Sequence, residues 1–202
     1  MALTHRDVAA LIPVDPRSDD GHLWVDWNAY HRLVELLALM VYQSDWGFDQ
    51  VLCLARGGLR VGDPLSRIFD VPLAILSTSS YREAEGTQQG DLDIGDHIAM
   101  ARGPLAGRVL LVDDLVDSGV TLARVQEHLR TGYPSVTEVR SAVLWHKACS
   151  CIEPDYYVQH LPTNPWIHQP FEAWDSVRPH HLPAWIQRGG VRRDPADESG
   201  SH

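Results

Sequence analysis

The chain has 202 residues, 44% of them hydrophobic and 22% charged, which is enough length and apolar content for one domain with a real core. Its formal net charge of −10 argues against non-specific binding to nucleic acid or anionic membranes, which needs clustered Lys and Arg, although an anionic small molecule can still be held by local N–H groups and a metal. Three cysteines, Cys53, Cys149 and Cys151, and the lack of any long apolar run point to a reduced, soluble, cytoplasmic protein and not to a disulfide scaffold or a membrane span.

Residues 1–23 read as an N-terminal arm containing the turn-like DPRSDDG. From Asp26, a suitable N-cap, apolar residues from Tyr30 to Val41 recur at helical spacing and predict a helix to Gln43. QVLCLA (50–55) is a short continuous apolar run, as in a parallel strand buried on both faces, with Cys53 as a small core residue. It breaks at RGG, a second helical pattern carries Leu65, Ile68 and Phe69, and VPLAILST (71–78) is the next strand. Residues 82–107 are mostly polar and hold five glycines, with strand character only in HIAMA, so they read as a flexible loop over a site. RVLLVD (108–113) is the clearest strand, and VTLARVQEHLRTG is a helix ending on Gly132. EVRSAVLW (138–145) and DYYVQHL (155–161) are further strands, and the polar tail 188–202 is expected to be disordered. One domain over 24–187 follows, of the α/β class, with a mostly parallel central sheet flanked by helices and ligands bound beyond the carboxyl ends of the strands.

The chemistry concentrates in VLLVDDLVDSGVTL (109–122). Adjacent carboxylates at the end of a buried strand repel each other and resist desolvation, so Asp113 and Asp114 need a ligand that justifies them. Sugar hydroxyls or Mg²⁺ would suit them. Asp117-Ser118-Gly119-Val120-Thr121 then forms a turn into a helix, whose N–H groups and hydroxyls suit a phosphate monoester. His146, Cys149 and Cys151 offer zinc-ligand types, but only three, at an unusual spacing.

This string resembles the phosphoribosyl-diphosphate (PRPP) motif of the type I phosphoribosyltransferases. LARGGLRVGDPLSR (54–67) is similar to the family's pyrophosphate loop, Ser80-Tyr81 opens the segment where the family keeps a flexible loop, and WHK (145–147) with PDYYVQHLPTNPWIHQPFE (154–172) resembles the purine side of the bacterial xanthine-guanine enzymes. The resemblance implies the type I fold with a small hood, and transfer of the phosphoribosyl group of PRPP to a 6-oxopurine (guanine, hypoxanthine or xanthine) with release of pyrophosphate and a nucleoside monophosphate. It implies that Asp113 and Asp114 hold the ribose hydroxyls with Mg²⁺ nearby, and that Asp117, Ser118, Gly119, Val120 and Thr121 cradle the 5-phosphate. Asp117 is the implied base for the purine ring. Arg56, Gly57, Ser80 and Tyr81 would face the diphosphate, Lys147 would donate to the 6-oxo group, and Trp166 with Ile167 would stack on the purine. Glu172 stands where the family has an aspartate near a second magnesium, and His168 where related enzymes carry a glutamate. Relatives are commonly homodimers or homotetramers. Two alternatives stay open: a regulatory protein that senses PRPP, and an enzyme of the same fold acting on a modified or different nucleobase.

Overall fold

The structure, a computed structural model, describes residues 21–80, 92–101, 103–187 and 189. Its centre is a seven-stranded sheet built from the apolar runs: β2 (Gln50–Ala55), β3 (Leu73–Ser80), β4 (Leu92–Met100), β5 (Gly107–Val112), β6 (Leu115–Val116), β7 (Val136–Lys147) and β8 (Tyr156–Leu161). From one edge the order is β4-β3-β2-β5-β7, with β8 on the far side of β7. All pairings are parallel except β3–β4.

Period-two alternation sends consecutive residues of the central strands to opposite faces, and both faces are buried. Val51, Cys53, Leu110 and Val112 pack with Leu33, Leu37 and Leu65 from α1 (Trp27–Gln43) and α2 (Leu59–Phe69). Leu52, Leu54, Val109 and Leu111 pack on the other face with Leu122, Val125 and Leu129 of α3 (Val120–Gly132). Helix α1 starts as expected, with the Asp26 carboxylate accepting from Ala29 N at 2.7 Å. Cys53 is a core residue, its thiol pushed up to about 12 by burial, and Gly62 of α2 lies so close to its Sγ that a Cβ would overlap it.

Three features depart from the sequence reading. The excursion 82–107 contains a nine-residue strand, β4, antiparallel to β3 along the sheet edge, longer than the HIAMA expected. Its stretch Leu92–Met100 does not alternate cleanly, and an edge strand needs no continuous apolar face. Second, a small hood sits apart from the main sheet: β1 (His22–Trp24) pairs in parallel with β9 (Trp166–His168), so the expected boundary between arm and domain falls within a strand. Short 3₁₀ turns, Glu172–Asp175 and Pro179–His181, and the helix α4 (Leu182–Gln187) follow. Third, β5 and β6 run along the same edge of β7 in unchanged register, Val112 opposite Ala142 and Leu115 opposite Trp145. Asp113 and Asp114 therefore interrupt a continuing strand and do not end it.

Tyr81 and the tail 190–202 lie outside the described residues. No described helix is long and apolar enough to cross a membrane.

Candidate active site

The interrupted strand presents its two carboxylates above the sheet. Asp113 N–H donates to Ala142 O, and Leu144 N–H donates to Asp114 O, so the backbone stays tied to β7 while the side chains leave the ladder. Asp113 Oδ1 accepts from Asp114 N at 2.9 Å, and Asp114 Oδ1 from Leu115 N at 2.8 Å. Burial of its carboxyl, and then the charge of Asp114, hold the Asp113 pKa well above the usual carboxylate range. Gln169, buried under the hood, donates Nε2–H to Asp114 Oδ2, while its own Oε1 is buried without a partner among the described residues. Gly57 lies against the same carboxylate: a Cβ there would come within 2.5 Å of Asp114 Oδ1.

Beyond the aspartates the chain turns into α3 through Gly119, which has φ +82° and caps the helix without any side chain. A Cβ at this position would meet Ser150 and Ile152, so glycine is required by conformation and by space. The turn leaves Asp117 and Ser118 exposed at the helix N-terminus, beside Thr121.

Lys147 is the last residue of β7, and its side chain is only 10% exposed. Its Nζ lies 3.3 Å from Asp117 Oδ2, an ion pair across residues that the sequence separates by a helix and a strand. Cys149 donates its S–H to the other oxygen, Oδ1, at 3.4 Å, and burial and that bond raise its own pKa. The thiol is thus a neighbour of Asp117. Its companion in the zinc reading, His146, instead faces His160, ring nitrogen to ring nitrogen at 3.4 Å. Among the described residues no three His, Cys, Asp or Glu side chains converge closely enough to hold a metal by themselves.

The hood supplies the opposite wall. Trp166 is 53% exposed with its ring available for contact, whereas Ile167 is buried. His168 stacks on Trp24 at 3.7 Å between centroids and shares a 2.8 Å contact with the His22 ring. Asp113, Asp117, Ser118, Gly119, Thr121, Lys147, Trp166, Ile167 and Glu172 all line one cavity of about 710 Å³. Asp113, Thr121 and Glu172 also line a second cavity of about 400 Å³, where they meet Arg56, Gly57 and Asp114. Ala55 and Arg56 are joined by a cis peptide. Ser80 ends β3 opposite Leu92, two residues beyond Thr78, which lines the smaller cavity.

Four contributors were not visible in the sequence: Arg60, Gln169, Phe171 and Asp175 line the smaller cavity. Asp175 lines the larger one as well. Gln169 is a buried polar residue between His168 and Pro170 that contacts Asp114. Only a contact across 55 residues reveals it.

The two cavities, which share Asp113, Thr121, Glu172 and Asp175, offer carboxylates, arginines, a helix N-terminus and an aromatic wall to one elongated ligand. They suit a phosphorylated sugar in the middle, an anionic group at one end and a planar ring at the other.

Comparison with known proteins points the same way. The model of the phosphoribosyl transferase domain matches residues 26–175. A xanthine-guanine phosphoribosyltransferase of Gluconobacter oxydans (strain 621H) is 31% identical over 167 residues, covering 82% of this chain and 91% of that protein. A hypoxanthine/guanine phosphoribosyltransferase of Methanocella arvoryzae is 28% identical over 140 residues, covering 65% of this chain and 70% of the relative. Among solved structures, a purine phosphoribosyltransferase from Pyrococcus horikoshii is similar with a TM-score of 0.62 at 29% identity, over 75% of this chain and 94% of the other.

Proposed function

Since the chain belongs to the phosphoribosyltransferase family, we propose that it is a purine-salvage enzyme that transfers the phosphoribosyl group of PRPP to a 6-oxopurine and releases pyrophosphate. The observation that carries this reading is the convergence of Asp113, Asp117, Ser118, Gly119, Thr121, Lys147, Trp166 and Ile167 on a single cavity.

The roles follow from the chemistry of each group. Asp113 and Asp114 accept from the ribose hydroxyls, and Asp117 through Thr121, at the start of α3, receive the 5-phosphate. Arg56 and the tight approach of Gly57 serve the diphosphate, which Ser80 and Tyr81 would also face. Trp166 and Ile167 form the stacking wall for the base. Lys147 carries three donors, so it can hold Asp117 and still donate to an oxo group at C6. An amino group at that position leaves a buried donor unmet, at a cost of about 1–3 kcal/mol, which selects against adenine by about one to two orders of magnitude.

The residues also fit Mg²⁺. Asp113 is a desolvated carboxyl with the Asp114 carboxylate beside it, and the orphaned Gln169 Oε1 is an acceptor suited to a ribose hydroxyl or a metal-held water. Mg²⁺ binds through one or two carboxylates together with substrate phosphates, so no protein-only cage is needed. Asp113 and Asp114, with Glu172 on the facing wall, would hold it, and when bound it neutralises charge on the leaving diphosphate.

The transfer needs a base for the purine proton and protection from water. Asp117, in contact with Lys147 and Cys149, is the carboxylate that takes a proton from the ring nitrogen of the base. Closure over the cavity excludes water that would hydrolyse PRPP. A cytoplasmic homodimer or homotetramer completes the reading.

The deciding experiment is a PRPP- and Mg²⁺-dependent assay of pyrophosphate release with guanine, hypoxanthine, xanthine and adenine. Turnover of one or more oxo purines, with adenine much slower, is expected. Intact PRPP binding without turnover of any base would replace the enzyme by a PRPP sensor.

A further inference from the structure

Arg60 is a residue that the sequence motifs do not single out. It stands in the first turn of α2, four positions after Arg56, and both side chains line the smaller cavity beside Asp113 and Asp114. Its guanidinium carbon lies 3.8 Å above the centre of the Phe171 ring. Phe171 is itself held edge-on against Tyr30, a buried residue of α1, at 5.8 Å between centroids. The stack therefore fixes the plane of the guanidinium between a helix of the core and the segment leading into the Glu172–Asp175 turn.

Stacking occupies the face of an arginine and leaves its five in-plane N–H donors free. Among the described residues, Arg60 donates no side-chain hydrogen bond and forms no ion pair, whereas Arg67 of the same helix is paired with Asp63. A fixed cation with unspent donors, lining a cavity with a second arginine, matches an anion with several oxygens. Its charge reaches into the site: burial and Asp114 raise the Tyr30 hydroxyl pKa, and Arg60 opposes them.

We propose that Arg60 is a second diphosphate-binding residue, presented by Phe171, which grips the pyrophosphate end of PRPP together with Arg56. The inference rests on the phosphoribosyltransferase reading, and it assigns to Phe171 the role of a positioning residue. An alternative role, a purely structural clamp between α2 and the hood, predicts different behaviour. A clamp would affect stability and base binding as much as PRPP binding, and a lysine could not be distinguished from alanine by its charge.

The test combines Arg60→Ala, Arg60→Lys and Phe171→Leu with three readouts: calorimetric titration by Mg²⁺–pyrophosphate alone, separate KM values for PRPP and for the base, and Tm. For Arg60→Ala, the pyrophosphate Kd and the PRPP KM are expected to rise roughly ten- to hundred-fold, as for loss of a charge-assisted contact. The base KM should stay within about twofold, a ratio far below that loss. Arg60→Lys should recover part of the affinity, because it restores the charge without the planar fork. Phe171→Leu should weaken pyrophosphate binding less than Arg60→Ala does. Unchanged pyrophosphate binding in Arg60→Ala, or parallel rises in both KM values with a lowered Tm, overturns the proposal and leaves the enzyme reading intact. A wild-type protein that binds neither PRPP nor pyrophosphate overturns both.

Discussion

At the scale of single residues, the site is built on a cost accepted at Asp113. Its folded-state pKa lies above the ordinary value through burial and Asp114, so the protonated form favours the folded state. The ligand-free protein should therefore gain stability as pH falls through the raised pKa and lose it as pH rises. Binding a Mg²⁺-bound sugar diphosphate favours the anion and should weaken over the same descent. Asp113→Asn retains an Oδ1 to accept from Asp114 N but removes the charge. It is expected to raise Tm at neutral pH, by about 2–4 °C per kcal/mol of repulsion relieved, to flatten the pH dependence, and to weaken PRPP binding. A lowered Tm at neutral pH would contradict this account. Lys147→Met tests the other end of the cavity. Asp117 is 56% exposed and stays hydrated when its partner is removed, so the fold should tolerate the change. The KM for an oxo purine should rise about ten- to hundred-fold, with the PRPP KM nearly constant; guanine turnover at the wild-type rate and KM would remove Lys147 from base recognition. The aspartates were legible in sequence because paired carboxylates are out of place after a buried strand, whereas Lys147 was singled out through the resemblance of WHK to the purine side of the bacterial enzymes. Arg60 and Gln169 were not, since nothing local distinguishes them from a helix-surface cation and a loop amide.

At the scale of elements, long periodic segments were read almost to their ends, α1 and α3 included, because capping and apolar spacing are local signals. The three-residue strands β1 and β9 carry no period at all, and β4 lies at an edge where polar residues are tolerated. Element junctions are the sensitive points. Gly119 combines positive φ with contact against Ser150 and Ile152, so Gly119→Ala must strain the backbone and displace the loop behind it. A loss of about 1–2 kcal/mol is expected from the left-handed conformation alone. Thermal melts should show a lowered Tm, together with weaker binding of ribose 5-phosphate as a probe of the phosphate turn. A variant with normal Tm and normal ribose 5-phosphate affinity would show that the turn adapts.

At the scale of the whole molecule, the net charge of −10 argued against polyanion partners, while the same fold gathers Arg56 and Arg60 on one cavity. Bulk charge does not describe the site, where the two arginines stand beside Asp113, Asp114, Glu172 and Asp175, and only the three-dimensional arrangement reveals that grouping. The residues proposed for PRPP stood out in sequence because they are contiguous in one strand–turn–helix. The acceptor half depended on a ladder that joins distant parts of the chain, with His22 and His168 146 residues apart. That separation also sets an order of assembly. The parallel core around β2, β5 and β7 closes over much shorter spans, whereas β1 meets β9 only after nearly the whole domain is in place, and long-range closure is slow. The hood should be the last part to form and the first to open. Native-state hydrogen exchange checks this: the amide of Val25, bonded to His168 O, should exchange well before those of Leu52 and Leu111, and equal protection would refute it. Synthesis on the ribosome would then deliver a sheet competent for the sugar phosphate while the wall for the base is still unmade.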